Sequence, residues 1–158
     1  LATEFEADDD PPEENIVKLN FSTWIEFKTG DYENAKGINE RALALSERKN
    51  ITSLVCHAYI LWHDGDEREA EECLKEAEHL RNGSDGEILM SKVEAELAYC
   101  FSRLGGPVNL ARAIDLYGRV IERHPEVYLW KFGLGLTHRR ATHGNLHLAT
   151  SPRRTVEE

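Results

Sequence analysis

The sequence predicts an all-α protein built from stacked antiparallel helix pairs. Gly30 and Gly65 are 35 residues apart, and Ala35 and Ala70 are separated by the same distance. Between these points apolar residues recur with the period of amphipathic helices. The chain of 158 residues has 5 Pro and 11 Gly, which leaves room for long helices. One helix pair of this length cannot bury its apolar face alone, so neighbouring pairs must stack.

A period near 34 residues, with small alanines where helices cross, is typical of tetratricopeptide repeats. We therefore predict a tetratricopeptide-repeat solenoid of about seven helices in antiparallel pairs. The predicted boundaries are 1–15 for an acidic N-terminal segment, 16–142 for the array (about 16–48, 50–82 and 87–125, with a fourth repeat from 127) and 143–158 for a tail or next helix. Because no polar cap is evident after the last repeat, we expect the array to continue beyond this sequence.

Turns between the predicted helices carry local signals. Gly65 is expected to end the third helix in the left-handed conformation. Asp66 is expected to cap the fourth helix, with Glu69 three residues later completing a capping box. Asn50 or Thr52 is expected to cap the third helix. Where a helix is expected to end, the sequence therefore supplies a residue suited to ending it.

The net charge of −10 hides an asymmetry along the chain. Residues 1–15 contain seven acids and no Lys or Arg, whereas residues 103–154 contain nine bases and three acids, a net charge of +6. Such an asymmetry indicates a polyanionic partner for the basic part. The alternative is that these charges form an ordinary solvated face.

Several functional classes lack their sequence signatures. No apolar run is long enough to span a bilayer, and we expect no membrane partner. The three cysteines, Cys56, Cys73 and Cys100, have spacings that match no metal or redox motif, so they are expected to be reduced. No phosphate-binding loop, nucleophile elbow or metalloprotease motif is present. We therefore predict a protein that is not an enzyme and needs no cofactor or metal.

The first helix of each pair is expected to line the concave surface, which is the usual binding face of a solenoid. The candidate binding residues on these helices are Tyr99, Arg103, Lys131, Arg139 and Arg140. An aromatic ring beside a basic groove suits single-stranded RNA, because rings stack on bases and arginines hold phosphates. The alternative is that Tyr99 belongs to the core and the arginines are ordinary surface residues.

Two stretches resemble the family of interferon-induced proteins with tetratricopeptide repeats. The first runs from Ser53-Leu54-Val55 through Trp62 and Gly65 to Glu69-Ala70-Glu71 and Leu74. The second holds Glu96, Ala98, Gly105-Gly106, Asn109, Arg112-Ala113, Val120 and Pro125. Short segments similar to those of the family also occur at Glu4-Phe5 and at Leu148-Ala149-Thr150, so the resemblance covers nearly the whole chain.

The resemblance implies a cytoplasmic antiviral effector of innate immunity that binds single-stranded or 5′-end-modified foreign RNA in a basic tunnel. Tyr99 falls where the family has a Trp at the RNA end, and Arg103 falls at a basic tunnel position. Arg140, or Arg139, falls at the tunnel arginine. Where the family has a tunnel Tyr, this chain has Leu110 or Asn109, a departure that weighs against a mode specific for the cap or triphosphate.

A different class of function stays open. A generic tetratricopeptide scaffold grips a peptide or a partner helix in its groove. Protein partners or a homo-oligomer are also compatible with the sequence. Because the array is expected to be incomplete, Leu134 and Leu136 or their neighbours are expected to expose an apolar face on the last helix.

Overall fold

Every regular element that the structure describes is an α-helix. The structure, a computed structural model, describes the backbone of residues 12–150 and the side chains of residues 12–144. The helices within that range are α1 (Pro12–Thr29), α2 (Tyr32–Leu45), α3 (Ile51–Asp64), α4 (Glu67–Asn82), α5 (Gly86–Leu104), α6 (Pro107–Arg123) and α7 (Tyr128–Thr150). No strand occurs between residues 12 and 150, so the all-α prediction is confirmed.

The helices pack mainly against their neighbours in the chain. Helix α1 lies along α2, α3 along α4, and α6 along α7. Helix α3 also contacts both α1 and α2. The chain divides within α5 into two compact units, Leu1–Val93 and Glu94–Glu158, which we call unit 1 and unit 2. Each unit is described by itself below.

Small residues occupy the helix crossings. Ala35, Ala70 and Ala113 have no exposed surface, as the recurrence of alanine predicts. In unit 1, Ala70 of α4 belongs to a buried cluster with Ala58 and Leu61 of α3. Because a methyl side chain keeps two helix axes close, a larger residue at these positions would force the helices apart.

In unit 1, a single glycine ends the first helix of each helix pair. Gly30 follows α1 with φ +91°, and Gly65 follows α3 with φ +89°. Each glycine and the residue after it donate backbone hydrogen bonds to the helix end, at 3.3 and 3.0 Å after α1 and at 3.2 and 2.9 Å after α3. The left-handed conformation favours glycine, so the recurring glycine reflects a recurring turn.

The capping hydrogen bonds at the helix N-termini differ in length from one helix to the next. Asn50 has extended backbone and its side chain accepts from the Ser53 N–H at 2.7 Å. Asp31 departs from the extended region, and its bond to the Asn34 N–H is longer, at 3.2 Å. Asp66 also departs from it and makes no capping hydrogen bond through its side chain. The predicted capping box at Asp66 is therefore wrong.

Two helices are longer than the sequence analysis expects. Helix α1 begins at Pro12 instead of near Ile16. Proline suits the first helical turn, and Glu13 and Glu14 interact favourably with the positive end of the helix dipole. Helix α7 continues from about residue 140 to Thr150. Residues 1–11 and 151–158, which include parts of the predicted acidic segment and tail, lie outside the described residues.

Candidate nucleic-acid interface

Cations of unit 2 lie against uncharged aromatic rings. The guanidinium carbon of Arg112 is 5.6 Å from the ring centroid of Phe101. The ammonium nitrogen of Lys131 is 5.3 Å from the ring centroid of Tyr128. A cation–π contact at an exposed site contributes about 0.5–1 kcal/mol, and the ring brings no opposing charge. These contacts orient the two cations without neutralising them.

Arg140 is bound through a chain of hydroxyl groups. Its Nη1 donates to Ser102 Oγ at 2.6 Å, and the hydroxyl oxygens of Ser102 and Thr137 are 2.8 Å apart. Thr137 Oγ1 donates to the Gly133 carbonyl at 2.8 Å. Because a guanidinium only donates and a carbonyl only accepts, one proton order satisfies every group, from the guanidinium through both hydroxyls to the carbonyl. This chain ties α5 to α7 within unit 2.

A buried tyrosine connects two of the predicted binding residues. Tyr117 is 4% exposed, and its hydroxyl end lies so close to α7 that a β-carbon at Gly133 would be 2.6 Å from the phenol oxygen. Burial raises the pKa of Tyr117; Tyr99 adds to that rise and Arg140 opposes it. Tyr99 and Arg140 therefore act in opposite directions on the same buried phenol.

The five predicted binding residues form two groups by exposure. Arg103, Lys131 and Arg139 are exposed, whereas Tyr99 and Arg140 are partly buried. Tyr99 and Arg103 are one turn apart on α5. Lys131 and Arg139 lie eight residues apart on α7, a rise of about 12 Å. Tyr99 and Arg140 are thus partly buried, while the exposed cations are distributed over α5 and α7.

Two exposed aromatics of α7 were missed in the sequence analysis. Tyr128 is 80% exposed and Phe132 is 60% exposed. Their spacing of four residues places them on one face of the helix, so periodicity alone was a sufficient signal. The contact between Ser102 and Thr137 was also missed, because no local pattern links two hydroxyl residues 35 positions apart.

The apolar exposure expected on the last helix falls on neighbours of the two leucines. Leu134 and Leu136 are partly buried. Phe132, two positions before Leu134, is largely exposed. Trp130 is 6% exposed, and its ring meets the ring of His124 edge to face at a centroid distance of 5.9 Å. Helix α7 therefore buries Trp130 and presents the ring of Phe132 to solvent.

The described residues contain neither a cluster of metal-ligating side chains nor a helix able to span a membrane. No group of three or more His, Cys, Asp or Glu side chains converges within them. His63 and Asp64, which are adjacent residues with metal-ligating side chains, have other contacts. The Asp64 carboxylate binds Lys36 Nζ at 3.1 Å, and the His63 ring stacks on Tyr32 with centroids 3.7 Å apart. No helix in the described range combines the length and apolar character that crossing a membrane requires.

Comparison of the chain with protein-family models, with curated proteins and with solved structures finds no match in any of the three.

Proposed function

We propose that this chain is part of a tetratricopeptide-type array that binds single-stranded RNA through unit 2. The observation that carries the proposal is the environment of the unit 2 cations. Arg112, Lys131 and Arg140 contact rings or a hydroxyl, so these contacts leave their positive charge uncompensated. Lys131 over the exposed ring of Tyr128 provides the combination of a cation and an aromatic face that single-stranded nucleic acid requires.

The repeat character of the array is supported by recurring geometry. Gly30 and Gly65 adopt nearly the same φ, with matching backbone hydrogen bonds at the ends of α1 and α3. Ala35, Ala70 and Ala113 occupy fully buried positions. In the predicted repeats the first helices are α1, α3, α5 and α7, and the first helix of a repeat usually belongs to the binding face of a solenoid. Tyr99, Arg103, Lys131 and Arg139 lie on the last two.

Each of these groups has a distinct role in the proposed complex. Arg103 and Arg139 attract phosphates of the RNA backbone. Tyr128 and Phe132 offer exposed ring faces on which bases stack, and Lys131 lies over the first of these rings. Base stacking on a protein ring is worth about 1–3 kcal/mol per base and tolerates any sequence. We therefore expect a binder with strong salt dependence and weak sequence preference.

Specific recognition of a 5′ end is not part of the proposal. Leu110 or Asn109 falls where the resembling family has a tunnel tyrosine. Leu110 is 7% exposed, and Asn109 Nδ2 donates to the Gly105 carbonyl at 2.9 Å. A buried aliphatic side chain offers a nucleotide neither a ring face nor a hydrogen bond. Within the family that this sequence resembles, the proposal corresponds to a cytoplasmic, non-enzymatic antiviral effector that holds RNA by its backbone and stacked bases.

A peptide-binding scaffold is the second candidate, and exposed aromatics in unit 1 favour it. The rings of Tyr59 and Trp62 on α3 meet edge to face at 5.6 Å between centroids, and both side chains are more than 40% exposed. Trp24 on α1 is 40% exposed and stacks with Phe21 at 6.4 Å. Such rings on the first helices of two pairs suit an apolar peptide.

The two candidates differ in their response to salt. We propose to titrate the protein with labelled single-stranded RNA of mixed sequence, bearing a hydroxyl or a triphosphate at its 5′ end, at several salt concentrations. The RNA proposal predicts affinity that falls steeply with salt and is similar for both 5′ ends. Absence of binding at low salt would overturn it, and binding of apolar peptides with little salt dependence would favour the scaffold.

A further inference from the structure

Asn39 fixes the tautomer of a histidine in unit 1. Asn39 has no exposed surface, and its Nδ2 donates to the Ser53 carbonyl at 3.0 Å. Because a carbonyl only accepts, the amide nitrogen must face Ser53 and Oδ1 must face the other side. There Oδ1 lies 2.7 Å from His57 Nδ1. Since an amide oxygen only accepts, His57 Nδ1 must carry the proton.

The second ring nitrogen of His57 is consequently a lone-pair acceptor when the ring is neutral. Burial lowers the pKa of His57, and Arg48 and Lys36 lower it further, against the opposing influence of Glu40 and Glu69. At neutral pH the ring is therefore mainly uncharged, with Nε2 unprotonated. Among the described residues, the ring is hydrogen-bonded through Nδ1 to Asn39 Oδ1.

His57 lines an open groove between α2 and α3 with a volume of about 520 Å³. The lining residues are Glu40, Leu43, Ala44, Glu47, Arg48 and His57. The cation among them is already engaged, because Arg48 binds both carboxylate oxygens of Glu76 at 2.9 Å. The remaining charges of the lining are the carboxylates of Glu40 and Glu47. The C-terminal end of α2, which carries partial negative charge, borders the same groove.

The rim of the groove is held in a costly backbone conformation. Glu47 and Arg48 have φ of +49° and +57°, in the left-handed region that residues other than glycine rarely adopt. The Arg48 N–H donates to the Leu43 carbonyl at 2.9 Å, and its side chain is anchored on Glu76. Conformations of this kind persist only where surrounding contacts enforce them, so Glu47 and Arg48 are fixed beside His57.

We propose that this groove is a binding site for an alkylammonium group, such as a lysine side chain or a free alkylamine. The ammonium donates a hydrogen bond to His57 Nε2 and pairs with the carboxylates of Glu40 and Glu47. The alkyl stem lies on Leu43 and Ala44. Glu47 also pairs with Lys49 Nζ at 3.1 Å, so the ammonium of the ligand replaces Lys49 at this carboxylate.

The chemistry of the site predicts a specific dependence on pH. Protonation of Nε2 converts the acceptor into a donor and adds a positive charge beside the ammonium. Arg48, Lys36, Glu40 and Glu69 are the charged groups that set the titration of this ring. Binding is therefore expected to weaken as the pH falls through the pKa of His57. A site formed by carboxylates alone would keep its affinity until the carboxylates themselves titrate, at lower pH.

The test is a titration of the whole chain monitored by NMR at the His57 imidazole, with n-butylamine and with a blocked lysine as probes. N-Butylacetamide, which has the same stem without the charge, serves as the control ligand. We expect saturable shifts at His57 Nε2 with both amines and none with the amide. A blocked lysine that binds about tenfold more tightly than butylamine would identify a lysine of a peptide as the ligand. Equal affinities would identify a free amine.

Three variants test the assigned groups. Glu40→Gln and His57→Gln should each weaken amine binding about tenfold. Glu78→Gln, which removes the same charge from an exposed position of α4, should leave it within about twofold. If Glu40→Gln unfolds the chain, Glu47→Gln replaces it. The proposal is overturned if saturating amine leaves the His57 resonances unchanged, or if Glu78→Gln weakens binding as much as Glu40→Gln.

Discussion

The cations of unit 1 and unit 2 differ in what they touch. In unit 1, Lys36, Arg48 and Lys92 each contact a carboxylate on another helix or beyond a turn, at 2.6–3.1 Å. In unit 2, Lys131 contacts a ring and Arg140 a hydroxyl. A cation beside a carboxylate presents little net charge, whereas a cation beside a ring presents all of it. The difference makes unit 2 the stronger attractor of anions.

The contrast is not complete, because two arginines of α6 in unit 2 also have acidic partners. Arg119 pairs with Asp115 at 3.3 Å, and Arg123 pairs with Glu94 at 2.7 Å. The uncompensated cations belong instead to α7 and to the start of α6, where Arg112 lies over Phe101. The proposed RNA surface is therefore a part of unit 2, with Arg119 and Arg123 outside it.

The largest effect is expected from a variant that disrupts the packing of Tyr117 of α6 against α7 in unit 2. Gly133→Ala places a methyl group within 2.6 Å of Tyr117, and we expect a loss of about 1–3 kcal/mol in unfolding free energy. Gly135→Ala, two residues along the same helix, meets nothing within 4 Å. It should stabilise by about 0.5–1 kcal/mol through helix propensity. Denaturant unfolding of both variants measures the difference, and equal effects would contradict the close packing of Tyr117.

A second variant removes the hydroxyl that holds Arg140. Ser102→Ala leaves the guanidinium without its 2.6 Å acceptor, and we expect a loss of about 1–2 kcal/mol. Thr142→Ala removes an exposed hydroxyl from α7 that bonds only to the preceding turn. We expect this control to change stability by less than about 0.5 kcal/mol. If both changes cost the same, the hydroxyl chain contributes nothing specific.

His57 of unit 1 should make the stability of the fold depend on pH. The pKa of His57 is lowered from its ordinary 6.5, chiefly by burial, so the folded chain binds fewer protons than the unfolded chain. Stability is then complete above that ordinary pKa and declines as the pH falls below it. His57→Gln should remove this part of the decline. Unfolding free energies at pH 7.5, 6.5 and 5.5 provide the measurement, and identical slopes for wild type and variant would refute it.

The smallest effect is expected at a paired surface arginine. Arg119→Gln breaks an ion pair whose side chains are 56% and 71% exposed. Solvent screening limits the value of such pairs, so we expect a change below about 0.5 kcal/mol. The RNA affinity should also change little, because Asp115 offsets this charge. A large loss of affinity in this variant would extend the binding surface onto the outer face of α6.

The fold was more readable than the site, and particular residues explain why. Gly30 and Gly65 reveal turns because few other residues adopt positive φ readily, and the repeated alanines reveal crossings. The turn after α2 was not readable, because Glu47 and Arg48 adopt left-handed backbone that their side chains disfavour. The contacts of Arg48 with the Leu43 carbonyl and with Glu76 hold this backbone conformation in place.

The same reasoning applies to the binding residues. The sequence identifies Arg140 as a base, but its partner lies 38 positions away in a hydroxyl of α5. Nothing in the neighbouring sequence tells whether the ring of Tyr99 is exposed or buried, and the structure places it in a partly buried position. The sequence shows which side chains are charged or aromatic. Whether a charge is paired and whether a ring is exposed depend on tertiary contacts, which a repeat period does not reveal.

The most direct test of RNA binding by unit 2 compares two double variants that remove equal charge. Lys131→Gln with Arg139→Gln removes two exposed cations from α7 of unit 2, and Arg68→Gln with Lys75→Gln removes two from α4 of unit 1. RNA affinity is measured against salt concentration for both variants and for the wild type. We predict that the unit 2 variant lowers the salt slope by about one to two units, while the unit 1 variant leaves it unchanged. Equal losses in both variants would show that RNA responds only to diffuse charge and would contradict a binding surface on unit 2.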